Sequence, residues 1–165
     1  MIIVVGYVDD IIFASNLQIL SLDFASEMKN EFEMSMLGEL TFFIGLQVHQ
    51  TNEGIFISQT NYIKDMLKIF SMEDSKSVST PMIIGCKLSK DDVSLEVDNT
   101  MYRSMIVSML YVTATRLDVM QDAGLVPRFQ SIPKETHVTA VKSISNYLKG
   151  TMEYGYSTQR VNISC

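Results

Sequence analysis

Apolar residues fall in short β-branched runs over the first part of the chain and at helical spacing over the last part, with a polar stretch between them. Residues 2–8 and 11–15 are two such runs hinged on Asp9-Asp10, which predicts a β-hairpin with two aspartates at its tip. Leu22, Ala25, Met28 and Phe32 then recur at helical spacing among Glu27, Lys29, Glu31 and Glu33, the pattern of an amphipathic helix over 17–33. Gly38 ends that passage. A second hairpin runs from Thr41 to Gln50, turns through Thr51-Asn52-Glu53-Gly54 and returns over Ile55–Ser58, and Gly54 suits the left-handed position of so short a connection.

Over 60–70, Tyr62, Ile63, Met66, Leu67 and Phe70 share one helical face and leave Lys64 and Lys68 on the other. Those two like charges repel by a few tenths of a kcal/mol, roughly, unless an anion sits near them. Residues 73–99 are rich in Ser, Asp, Lys and Thr, hold Pro81 and Gly85, and read as a linker. Three further helices follow, over 101–114, 117–130 and 135–149; Pro133 stands near the start of the last and Gly150 just past its end. Pro127 falls inside the middle one, where a proline costs roughly 3 kcal/mol and breaks or kinks the helix. The class is α+β, with hairpins over 1–72, a linker over 73–99, a mainly helical region over 100–156 and a tail over 157–165.

Composition narrows the function classes. The 165 residues are long enough to bury roughly 70% of the unfolded surface. Apolar residues at 47% and charged residues at 19% fit a globular chain. Thirteen Lys/Arg against 19 Asp/Glu leave −6, which argues against an electrostatic nucleic-acid binder. The deficit is local, however: residues 1–72 hold nine acids and three bases, whereas 73–165 hold ten of each. The opening apolar run stops at Asp9, far short of the roughly 20 residues a membrane span needs, and has no basic leader, so neither membrane nor secretion is expected and a cytoplasmic or nuclear location follows. Cys86 and Cys165 have no metal-ligand spacing around them, and Asn162-Ile-Ser164 is a sequon without a secretory signal.

Tyr7-Val8-Asp9-Asp10 carries the chemistry. Two adjacent carboxylates on a tight turn offer hard oxygen ligands of the kind Mg2+ takes, and two such ions roughly 3.5–4 Å apart can serve an in-line phosphoryl displacement. Turn chemistry alone also explains two solvated aspartates at a hairpin tip.

The heptad Tyr7-Val-Asp-Asp-Ile-Ile-Phe13 resembles the polymerase signature of reverse transcriptases of the copia-type retrotransposons. The likeness continues through 31–47, Gly54-Ile-Phe-Ile-Ser-Gln-Thr60, Ser79-Thr-Pro-Met82, Tyr102-Arg-Ser104, Tyr111-Val-Thr-Ala-Thr-Arg116, Pro133-Lys-Glu-Thr-His137 and Tyr147-Leu-Lys-Gly-Thr151. These ordered matches span residues 1 to about 156 and resemble plant copia-type polyproteins.

The resemblance implies that residues 1–72 are part of a polymerase palm and 100–156 a thumb-like region. It makes Asp9 a direct metal ligand and Asp10 a less direct partner, with Mg2+ (or Mn2+) as the cofactor of the parent enzyme and weak or absent in this chain. Tyr7 and Val8 would lie beneath the primer terminus. Phe42, Phe43 and Gly45 resemble the strand that grips the primer end, with Gly45 allowing close backbone approach; core packing is the other reading of the two phenylalanines. Lys64, Lys68, Arg103, Arg116, Lys142 and Lys149 are candidates for contacts to an RNA/DNA template–primer, while Arg103 and Arg116 could equally pair with Asp98 or Asp118. His137 belongs to the start of the last helix, with nothing nearby to make it a ligand.

Several positions depart from the family pattern: Val107 replaces a usual glycine, Leu117 a usual proline, Pro127 a small residue and Asn146 an arginine. The family carries a third catalytic carboxylate well upstream of this hairpin, along with fingers and nucleotide-binding residues, and this chain starts eight residues before Asp9. The expectation is therefore a polymerase fragment inactive by itself, with the rest of the polyprotein as its candidate partner. The alternatives are a non-catalytic module binding nucleic acid or protein, and a decayed open reading frame without function.

Overall fold

The computed structural model describes residues 1–82, 88–90 and 93–159. Gly85, Cys86, Cys165 and the sequon at Asn162 lie outside them. The class is α+β, and the chain divides into two compact units, Met1–Thr41 and Phe42–Cys165.

In the first unit, β1 (Ile2–Tyr7) and β2 (Asp10–Ser15) pair antiparallel with Tyr7 opposite Asp10. The expected hairpin is present, with its tip set one residue earlier than expected. Val8 and Asp9 make the two-residue turn, and Asp10 opens the returning strand. Side chains alternate along a strand, so Val4 and Phe13 share a face. That face receives α1 (Gln18–Glu31), whose Phe24 ring meets Phe13 edge-on at 5.1 Å. On the opposite face Ile3 and Val5 remain more than half exposed. The N-terminal amine donates to Asn16 Oδ1, and Ser15 Oγ donates to the carbonyl of Met1 and accepts from the amide of Leu17, tying the open end of the hairpin to the helix start.

The second unit holds a four-stranded antiparallel sheet in the order β3-β4-β5-β6, from β3 (Phe42–Phe43), β4 (Leu46–Gln50), β5 (Gly54–Ser58) and β6 (Gly155–Gln159). The β4–β5 turn is organised by Thr51, whose hydroxyl oxygen accepts from the amides of Glu53 and Gly54. Gly54 does not adopt the left-handed conformation expected of it, which falls instead at Gly38 and Gly45. Its glycine is required for a different reason: a Cβ there would stand 1.8 Å from the carbonyl oxygen of Thr158 on β6. Residues 155–159 are thus a paired strand, not the start of a tail at 157.

Among the described residues of the second unit, four α-helices follow in chain order. Helix α2 (Thr60–Ile69) buries Ile63, Met66 and Leu67 as its periodicity predicts, against α3 (Asn99–Val112) and α5 (Glu135–Gly150). Helix α2 therefore shares its core with the helices that follow, and the compact units part at Thr41, not at residue 72. The single helix expected over 117–130 is three pieces: a 3-10 turn at Leu117–Val119, α4 (Met120–Leu125) and a second 3-10 turn at Val126–Phe129. Pro127 sits in the first positions of that last turn, where its missing N–H has no helical partner to lose. Of the positions departing from the family pattern, Val107 and Leu117 are exposed, and Asn146 holds the backbone of Val78 through its own carbonyl.

The polar stretch 73–99 is strapped to α5 where it is described. Lys149 donates to the carbonyls of Glu73 and Ser75, Met82 and Leu88 pack on the core, and Glu96 pairs with Lys134 at 3.1 Å. Tyr102 is fully buried on α3 and donates to the carbonyl of Val126 at 2.8 Å. Among the described residues, no helix is long and apolar enough to cross a membrane.

Candidate functional site

Asp9 and Asp10 are both exposed at the tip of the first hairpin, held by six paired positions on each strand. The turn itself is strained. Val8 adopts φ 52 while Asp9 does not share the positive sign, the φ signature of a type II′ turn whose first position favours glycine. A β-branched residue in that region costs about 1–3 kcal/mol and persists where its surroundings impose it. Tyr7 stands opposite Asp10 in the ladder, half-exposed beside the carboxylates. The tip thus brings Tyr7, Val8, Asp9 and Asp10 together.

The donor set suits a hard divalent cation in kind, since carboxylate oxygens are the ligands Mg2+ selects. It is small in number. Among the described residues no group of three or more His, Cys, Asp or Glu side chains is gathered that could hold a metal ion. Two adjacent carboxylates alone leave most of an octahedral shell to water.

Phe42, Phe43 and Gly45 lie on the edge hairpin of the second unit. Register pairs Phe43 with Leu46, so Ile44 and Gly45 form a two-residue loop. Both have positive φ, 47 and 76, the signature of a type I′ turn. Phe42 is 56% exposed, which sets it apart from core packing, while Phe43 is half-buried. Gly45 does permit a close approach, but within the chain: a Cβ there would lie 3.2 Å from the Tyr111 hydroxyl. Lys64 and Lys68 are exposed on the outer face of α2, as the periodicity predicts, and Lys142 is exposed on α5.

Other candidate cations are structural. Arg116 is buried and grips Asp118 through two hydrogen bonds while two further ones go to the carbonyl and hydroxyl of Thr151. Tyr147 donates to the same carboxylate. Hydrogen bonding from Arg116 holds Asp118 below the usual carboxylate range, against the opposing effect of its partial burial. Of the two roles open to Arg116, the structure selects the pair with Asp118. Arg103 instead donates to the carbonyl of Gln130, and Asp98 caps α3 through the amide of Thr100. Lys149 is committed to the strap over α5. A cleft of about 470 Å³ is lined by Arg116 together with Phe56, Leu117 and Tyr154, and neither the aspartate pair nor the Phe42–Gly45 hairpin lines it.

His137 is fully buried and caps its helix. Its Nδ1 accepts from the backbone N–H of Lys134 at 2.9 Å, so Nε2 carries the proton and donates to the carbonyl of Ser89 at 3.0 Å. Its ring stacks on Phe129 at 4.2 Å.

Residues 1–84 match the family model described as reverse transcriptase (RNA-dependent DNA polymerase). The chain belongs to the reverse transcriptase family. Curated relatives extend the similarity over nearly its whole length. It is 32% identical over 156 residues to the Retrovirus-related Pol polyprotein from transposon RE1 of Arabidopsis thaliana, covering 94% of this chain and 11% of that protein. Identity is 33% over 159 residues to the corresponding polyprotein from transposon TNT 1-94 of Nicotiana tabacum, covering 91% and 12%. It is also 29% identical to the uncharacterized mitochondrial protein AtMg00810 of Arabidopsis thaliana, covering 90% of this chain and 62% of that one. This reverse transcriptase segment therefore spans about a ninth of the transposon polyproteins it matches, which are the copia-type relatives its motifs resemble. No solved structure matches it.

Proposed function

We propose that the chain is the segment of a copia-type RNA-directed DNA polymerase that carries the palm carboxylate pair, and that by itself it does not extend a primer. The observation supporting this most strongly is the presentation of Asp9 and Asp10 on a strained hairpin tip inside the residues that match the family model. In the parent enzyme the 3′-hydroxyl oxygen of the primer attacks the α-phosphorus of a nucleoside triphosphate. One P–O bond forms, the bond to pyrophosphate breaks, and the hydroxyl proton passes to solvent. Mg2+ or Mn2+, when bound, supplies Lewis acidity toward the attacking and leaving oxygens. Asp9 and Asp10 would hold it, and Tyr7 and Val8 would shape the floor beneath the primer terminus. Phe42, Phe43 and Gly45 form the hairpin that contacts the primer end, and Lys64 and Lys68 offer charge to the phosphate backbone.

Two features support dependence on the rest of a polyprotein. Two carboxylates make an incomplete metal shell, and the face of the first hairpin bearing Ile3 (57% exposed) and Val5 (54% exposed) has the character of a buried surface without its cover. Primer extension tests the proposal, using the purified chain with primer–template, deoxynucleoside triphosphates and Mg2+ or Mn2+. No extension is expected. Extension that disappears in Asp9→Ala overturns the inactivity.

A further inference from the structure

Ile44 is a β-branched residue held in the left-handed region at φ 47, at the first position of the β3–β4 loop. Nothing in its own chemistry favours that conformation, so neighbouring structure must impose it. One neighbour stands out. The hydroxyl of Tyr111, 67 positions along the chain on α3, donates to the carbonyl oxygen of Ile44. The same hydroxyl lies where a Cβ on Gly45 would come within 3.2 Å, so glycine at the second loop position leaves room for it.

Tyr111 is itself fixed from two sides. Its ring packs against Tyr62 of α2 with centroids 4.7 Å apart, and the Tyr62 hydroxyl donates to the carbonyl of Ser108. Its backbone carbonyl accepts from Gln59 Nε2 at 3.2 Å, while Gln59 Oε1 accepts from Thr115 at 2.7 Å. Gln59 is wholly buried at the junction of β5 and α2. A strained loop is therefore connected through one hydroxyl to the end of α3 and a buried amide.

We infer that Tyr111 is a positioning residue for the hairpin that carries Phe42 and Phe43, its hydroxyl holding the Ile44-Gly45 turn in the conformation that sets where those side chains point. The functional half of this inference rests on the proposed role of that hairpin at the primer end. The structural half stands on the contacts above.

The test is hydrogen exchange on the full chain, read at Phe43 and Leu46, the pair flanking the loop. Tyr111→Phe keeps the ring and removes only the hydroxyl. Its loss raises exchange at these amides by roughly three- to tenfold and leaves Val48 and Ile57, further along the sheet, unchanged. A merely structural tyrosine would not be rescued at the loop. Here Ile44→Gly, which abolishes the left-handed penalty, restores exchange in the Tyr111→Phe background to within twofold of Ile44→Gly alone, roughly. Unchanged exchange in Tyr111→Phe overturns the inference, as does an increase spread evenly over the sheet or one that Ile44→Gly fails to rescue. Anisotropy of a labelled RNA–DNA primer–template at low salt separates the two halves. Weakened binding in Tyr111→Phe, restored by Ile44→Gly, supports both. An exchange effect without any primer–template binding by the parent chain retains Tyr111 as the anchor of the turn and overturns its placement at a primer.

Discussion

Arg116 and Asp118 meet through two hydrogen bonds, Nε to Oδ1 at 2.9 Å and Nη2 to Oδ2 at 2.7 Å, with the guanidinium 1% exposed and the carboxylate 35% exposed. Two residues apart in sequence, they lie where α3 gives way to the first 3-10 turn, and Arg116 reaches from there to Thr151 just past α5. The guanidinium also sits over the rings of Tyr147 and Tyr154. This pair joins two segments that sequence distance keeps apart.

Removing the arginine alone leaves Asp118 with only the Tyr147 hydroxyl and takes the guanidinium donors from Thr151. Arg116→Met is expected to cost about 3 kcal/mol, the low end for a broken buried pair because the carboxylate keeps some water. Urea unfolding measures this. An effect below about 0.5 kcal/mol would place the pair among ordinary surface ion pairs.

Acid dependence follows from the same contact. The hydrogen bond from Arg116 lowers the Asp118 carboxyl below its ordinary 3.8, so its stabilising contribution is present above that pH and declines as pH falls through the lower folded value. Asp118→Asn is therefore expected to be less stable than the parent near neutrality, with the difference narrowing below about pH 4. Urea midpoints of the two proteins across pH 7 to about 2.5 check this. A difference independent of pH would contradict it.

The β5–β6 pairing makes two glycines obligatory. A Cβ on Gly155 would lie 2.3 Å from the carbonyl oxygen of Ile57, and one on Gly54 would lie 1.8 Å from that of Thr158. Since the nearest atom in each case is a backbone carbonyl oxygen, relief requires the strands to separate. Gly155→Ala is expected to cost about 2–3 kcal/mol and to release β6, seen as faster amide exchange across residues 155–159. Unchanged protection there would mean that the strand is not paired as described.

His137 offers a fourth structural variant. Its loss removes a cap on α5, a buried bond to Ser89 and a stacked ring on Phe129. His137→Ala is expected to destabilise by about 2–3 kcal/mol in urea melts, with fraying at Lys134–Val138 by hydrogen exchange.

Local pattern reads well in this sequence, and long-range pairing does not. The apolar face of 60–70 specifies α2, and the β-branched runs around Asp9 specify the first hairpin, because each signal is contained within a few neighbouring residues. The strand at 155–159 carries Gly, Tyr, Ser, Thr and Gln with little apolar alternation and is fixed by backbone bonds to a segment a hundred positions away. Apolar spacing over 117–130 resembles one helix, yet the proline and two 3-10 turns divide it. At the candidate site, the motif singles out the aspartate pair and Gly45. It does not single out the anchoring of that glycine's turn by Tyr111, since no spacing rule links two residues 67 positions apart.

The metal role of Asp9 and Asp10 is tested most directly by Mn2+ titration of the isotopically labelled chain, followed by paramagnetic broadening of backbone amides. Binding at the carboxylate pair predicts broadening centred on Val8 to Ile11, weak in affinity and absent in Asp9→Ala. Broadening that bypasses the hairpin tip, or that persists unchanged in Asp9→Ala, would contradict the assignment of this pair as the metal ligands.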